Sequence, residues 1–160
     1  MNNGYNTYKE NSTLAMSQLD LILTVYKGTI DYIKKARGHF ESERFIEGRT
    51  ACERARKCIV HLYTTLDMEK GGEIAEKLGQ LYAFMIEQLD LAVASKSLDL
   101  LDTIRGLLET IKEGWDGLKE QDKQTAAGTA AGKSNGVRIA SQDGKNNQTK
   151  PLKQGLTLSA

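Results

Sequence analysis

Residues 45–66 read FIEGRTACERARKCIVHLYTTL, and this stretch decides the fold. Phe45, Cys52, Ile59 and Leu66 stand seven apart, and Gly48, Ala55 and Leu62 fill the companion positions of the same heptad. Such a repeat lines one side of a helix with apolar groups that face other helices. The small residues among them predict that a neighbouring helix approaches closely.

Working outward, the same period recurs on both sides. Leu19, Ile22, Tyr26, Ile30 and Ile33, widened by Leu23, form a stripe behind the capping-box signature Ser17-Gln18-Leu19-Asp20, so a first helix is expected from Ser17 to about Gly38. After Leu66, Gly71-Gly72 supplies residues that tolerate unusual backbone angles, and a hairpin reversal is expected there. A third stripe runs through Ile74, Leu78, Leu81, Met85, Leu89 and Ala92 until Ser95-Lys96-Ser97 breaks it. A fourth runs through Leu101, Ile104, Leu108, Ile111, Trp115 and Leu118. Stripes of about 20 residues make helices of about 30 Å, and their short connections make neighbours antiparallel. The expected fold is all-α, an antiparallel up-down four-helix bundle over residues 17–122. A flexible N-terminal segment, 1–16, precedes it, and a low-complexity, disordered tail, 123–160, follows.

Composition agrees with one domain: 160 residues, 17.7 kDa, a formal net charge of +1, and a single proline at Pro151. Lys133, Arg138, Lys145, Lys150 and Lys153 against Asp143 give residues 125–160 a charge of +4, which leaves −3 on residues 1–124. No concentrated positive face is left for nucleic acid. No apolar run approaches the roughly 20 residues of a membrane span. The N-terminus shows neither a basic leader nor an apolar stretch, so the cytoplasm is the expected compartment.

A search for chemistry returns little. Gly132-Lys133-Ser134 lacks the first glycine of a phosphate-binding loop, because Ala127 stands at that position. His39, Cys52, Cys58 and His61 are the soft metal-ligand types, but Cys52 belongs to the heptad seam and His61 turns to the far side of that helix. A carboxylate-bridged metal bundle needs Glu-x-x-His, and neither histidine has a glutamate three residues before it. No catalytic, cofactor-binding or metal-binding residue is expected, and no enzyme. What the helices do carry is surplus apolar surface. Leu21 and Val25 lie off the first stripe, Tyr82, Phe84 and Ile86 flank the third, and Leu100 and Leu107 form a second line on the fourth. Periodicity leaves two readings open, a wider core or an exposed groove for a partner helix.

The residues resemble the FliS family of flagellar secretion chaperones over about residues 5–120. The most specific piece is Leu66-Asp67-Met68-Glu69-Lys70-Gly71-Gly72-Glu73-Ile74-Ala75 with Leu78, Leu81-Tyr82 and Met85 following. Tyr5 and Tyr8, Leu21-Ile22-Leu23-Thr24-Val25-Tyr26-Lys27-Gly28-Thr29-Ile30, and Leu107-Leu108 followed by Trp115 add to it in the expected order. The resemblance implies a non-enzymatic helical bundle without a cofactor. It would hold the C-terminal segment of flagellin in the cytoplasm, prevent premature polymerisation and assist delivery to the flagellar type III export apparatus. The residues expected to touch the client are Tyr5, Tyr8, Leu21, Ile22, Val25, Tyr26, Leu78, Tyr82, Leu100 and Leu107, with the two N-terminal tyrosines on a lid over the groove. Gln18 and Lys27 depart from the family's usual proline and aspartate. The alternative is a generic helical interaction module, or a self-associating dimer, that binds another client.

Overall fold

In a computed structural model, residues 3–131 are described, with side chains over residues 18–128. Four helices carry the four stripes: α1 (Asn3–Glu41), α2 (Phe45–Thr64), α3 (Met68–Ser95) and α4 (Leu98–Ala131). Each packs on its neighbours in chain order and α4 closes on α1, so the cross-section is a square whose diagonal helices do not approach each other at the backbone. The α1–α2 interface is the most extensive and α3–α4 the least. The expected tail from residue 132 onward, including Gly132-Lys133-Ser134, lies outside the described residues, as do the side chains of Tyr5 and Tyr8.

The core follows the stripes on α1, α2 and α4 except at their ends, where Phe45 is 38% exposed and Leu118 is exposed as well. Tyr26, Ile30 and Ile33 meet Cys52, Ala55, Ile59 and Leu62, and Leu101, Ile104 and Leu108 close the other side. Gly48 shows why the second helix needs small residues: a β-carbon built there falls 2.2 Å from Cδ1 of the buried Phe40 ring. Alanine normally favours a helix over glycine by about 1 kcal/mol. Here Gly48→Ala is expected to destabilise by about 1–2 kcal/mol through overpacking. In a Phe40→Leu background the same substitution becomes neutral or stabilising, which urea unfolding of the four variants measures.

Three expectations are corrected. α1 does not begin at Ser17 but runs through it from Asn3, so the capping-box residues sit inside a 39-residue helix, and α4 is longer than expected at 34 residues. The α2–α3 reversal comes before Gly71-Gly72. It is made by Thr65, whose N–H reaches the His61 carbonyl at 3.1 Å, and by Asp67, whose side chain accepts from the Lys70 N–H at 3.0 Å and caps α3. Gly72 is a break inside α3 at φ 49, ψ −127, a conformation that only glycine adopts without strain. Finally, the third stripe is out of phase at its start. Ala75, Gly79 and Tyr82 are buried, whereas Ile74 is 70% exposed and Leu78 and Leu81 are half-buried.

The α3–α4 break falls at the expected place. Lys96 adopts the left-handed conformation at φ 56, and Ser97 Oγ accepts from the Leu100 N–H at 3.3 Å to start α4. The cysteines are free, Cys52 buried and Cys58 half-buried. Burial pushes the Cys52 thiol up from 9.0 to about 11. An unfolded chain therefore loses this proton first as pH rises, so the contribution is intact below about pH 9 and declines up to about 11. Stability is expected to fall by about 2–3 kcal/mol over that window from this group. Denaturant titrations at pH 8 and 11 should show a smaller fall in Cys52→Ala.

Candidate functional site

Ion pairs fix which flank of α4 meets α1. Arg37 Nε donates to both Asp102 oxygens at 3.0 Å, Lys34 pairs with Glu109 at 3.7 Å, and Lys119 pairs with Asp20. At about 100° per residue, Leu100, Leu107, Ile111 and Leu118 fall on the other flank, towards α3. Leu100, Leu107 and Ile111 are half-buried and pack against the core, whereas Leu118 is 49% exposed.

The same reasoning orients α3. Arg56 of α2 pairs with Asp90 at 3.4 Å, and Tyr63 and Leu66 lie against Gly79, so these positions mark the α2 flank. Ile74, Leu81 and Phe84 lie well round the helix from them, towards α4 and solvent. Counting equally from the Lys96 turn sets Ile74 opposite Leu118, Leu81 opposite Ile111 and Leu78 opposite Gly114. Gly114 has nothing within 4 Å of a built β-carbon, so the space beside it is open. The least extensive interface of the bundle thus carries partly exposed apolar side chains on both of its facing flanks, a line here termed the furrow.

Comparison with known proteins bears on this furrow. The family model "Flagellar protein FliS" matches residues 1–122. The chain belongs to the FliS family. Among curated relatives, it is 38% identical over 98 residues to the flagellar secretion chaperone FliSB of Pseudomonas aeruginosa, covering 61% of this chain and 78% of that protein. It is 32% identical over 107 residues to the flagellar secretion chaperone FliS of Salmonella typhimurium, covering 66% and 79%. It is 29% identical over 114 residues to that of Campylobacter jejuni, covering 71% and 89%. FliS is a family of non-enzymatic chaperones.

In this FliS-family bundle the ten expected client residues separate into sets. Leu78, Leu100 and Leu107 fall together on the furrow walls, half-buried. Leu21, 65% exposed, with the half-buried Ile22 and Val25, lies on α1 and is not part of that furrow. The stretch of α1 that bears Tyr5 and Tyr8 is helical.

Tyr26 and Tyr82 stand in the core instead of on a surface. Their hydroxyls hydrogen-bond to each other across the α1–α3 diagonal, with ring centroids 6.5 Å apart, and Trp115 Nε1 donates to Tyr26 Oη at 3.3 Å. Burial raises both phenols above their ordinary range, so the neutral hydrogen-bonding forms persist into alkaline solution. Sequence reasoning placed Ile74 and Leu118 in core stripes, whereas the structure leaves both exposed. The small residues Ala75 and Gly79, four apart, are the ones buried, and helical geometry then turns Ile74 outward.

No helix among the described residues is long and apolar enough to cross a membrane.

Proposed function

We propose that the protein is a cytoplasmic flagellar secretion chaperone. It takes the C-terminal segment of flagellin into the α3–α4 furrow, keeps that segment from polymerising, and assists its delivery to the flagellar type III export apparatus. The observation that carries this reading is the partly uncovered apolar line on facing flanks, from the exposed Ile74 and Leu118 at one end through Leu81 and Ile111 to Leu107 and Leu100 at the other.

The physics is that of a helix laid in a groove. A segment that associates through an apolar face in a filament loses its self-association surface when that face is covered. An unfolded client must be ordered on binding, which costs several kcal/mol and demands a large contact area. The furrow offers length: Leu100 to Leu118 spans about 27 Å at 1.5 Å per residue. Affinity then comes from apolar contact alone, and no bond is made or broken.

The deciding test is calorimetric titration of the protein with flagellin that retains or lacks its C-terminal segment. Binding to the intact form only, with a negative heat-capacity change from apolar burial, supports the reading. Equal binding to both forms, or to neither, sinks it and leaves a helical module with another client.

A further inference from the structure

The α1–α2 side of the bundle lies away from the furrow, and it is the positive side. By sequence count α1 carries +1 and α2 +2, whereas α3 and α4 each carry −3. A cleft of about 220 Å³ opens between α1 and α2. Its lining includes the buried Ala51, with Tyr32 and Lys35 from α1 and Ile46, Glu47 and Arg54 from α2.

Two features set this cleft apart from ordinary helix surface. One is unmatched charge. Most cations among the described residues meet a carboxylate, as Lys34, Arg37 and Arg56 do, but Lys35 and Arg54 take part in none of the ion pairs described. They lean on the Tyr32 ring instead, Lys35 Nζ at 5.8 Å and the Arg54 guanidinium carbon at 5.9 Å from its centroid. One ring thus gathers two cations, and a carboxylate arriving there gains charge-assisted hydrogen bonds without breaking an ion pair. The other feature is Ile46, at 82% the most exposed large apolar side chain among the described residues. It stands about 12 Å along α2 from Arg54. Glu47, its neighbour, also belongs to none of the ion pairs described, so it repels an acid at the Ile46 end and leaves the Tyr32–Arg54 end as the seat for an anion. The cleft is therefore matched to an apolar group and an acidic group about 12 Å apart.

We propose that the α1–α2 cleft is a second docking site, for an acidic segment of another protein that sets an apolar side chain against Ile46 and a carboxylate on Lys35 and Arg54. The cleft and the furrow occupy opposite sides of the square, so the bundle holds this partner and its client together. The negative α3 and α4 steer an acidic partner away from themselves and towards this side.

The probe is a fluorescein-labelled peptide of about 12 residues, with leucines at one end and glutamates at the other, followed by fluorescence anisotropy. Lys35→Glu combined with Arg54→Glu is expected to weaken its binding at least about tenfold, as is replacing the peptide's glutamates by glutamine. Ile46→Glu, or serines in place of the peptide's leucines, should weaken it at least about fivefold. Lys35, Ile46 and Arg54 are all exposed, so these variants keep the fold. Ile74→Glu with Leu118→Glu, on the furrow, should leave peptide binding unchanged, and so should a saturating flagellin C-terminal segment. Equal binding of the glutamine peptide, indifference to the cleft variants, or no binding at all overturns the proposal. Competition by the flagellin segment overturns it as well and gives the cleft to the client. So does binding of phosphatidylglycerol vesicles in place of the peptide, which would make the cleft a membrane contact, or self-association of the chain that Ile46→Glu abolishes, which would give it to a second copy.

Discussion

Ile74→Glu combined with Leu118→Glu is expected to weaken binding of the flagellin C-terminal segment at least about 30-fold while leaving the bundle's stability within about 0.5 kcal/mol. The separation of the two effects follows from exposure. Ile74 is 70% exposed and Leu118 49%, so in the free protein each new carboxylate stays in water. In the proposed complex the same positions lie under an apolar client. Each glutamate then forfeits an anchor and must shed hydration without a partner, about 1–2 kcal/mol apiece. Ile46→Glu is the control, because Ile46 is 82% exposed but faces the α1–α2 side among Tyr32, Lys35 and Arg54. It should bind as the unaltered protein does. Calorimetry gives the affinities and urea unfolding the stabilities. Equal weakening by Ile46→Glu would show that the furrow has no special part in binding.

Tyr26→Asp has a large effect of the opposite kind, and it falls on the fold. Tyr26 is fully buried, and its hydroxyl is held by Tyr82 and Trp115. Aspartate there removes most of an aromatic side chain, strands the Tyr82 hydroxyl and places a carboxylate in a dry layer with no cation described beside it. The cavity alone costs about 3–5 kcal/mol, and the unpaired charge adds several more. A domain of this size has about 5–15 kcal/mol in total. Loss of the cooperative helical transition in circular dichroism is therefore expected at neutral pH. Tyr26→Phe, which keeps the ring, should cost only about 1–2 kcal/mol and shift Trp115 fluorescence by removing the acceptor of its N–H. A folded Tyr26→Asp variant would mean that the diagonal contact is dispensable.

The contrast between these variants marks how far residue patterns reach. Both tyrosines were expected on the client surface, one within a stripe and one beside it. Only the diagonal across the bundle, with α1 and α3 too far apart for backbone contact, explains why two large polar-tipped rings belong in the interior: they span a gap that aliphatic side chains would leave open. Leu100 and Leu107 were legible as surplus because they form a second line beside the α4 stripe, whereas Leu78, read as part of the α3 stripe, entered the client set only through the family resemblance.

From its sequence alone, the chain is settled as all-helical, with four apolar stripes, a break at Lys96 and heptad spacing on α2, because these depend on contacts between residues three to seven apart. The family also follows from sequence. The phase of α3, the position of the α2–α3 reversal and the identity of the open interface were decided only by tertiary structure. Rotating α3 by one residue exchanges Ile74 for Ala75 in the core, and each choice keeps a helical period. The choice rests with what α2 presents: Tyr63 and Leu66 pack around the Gly79 position at ordinary van der Waals distance, and with Ala75, Gly79 and Tyr82 turned inward Ile74 is left on the exposed side.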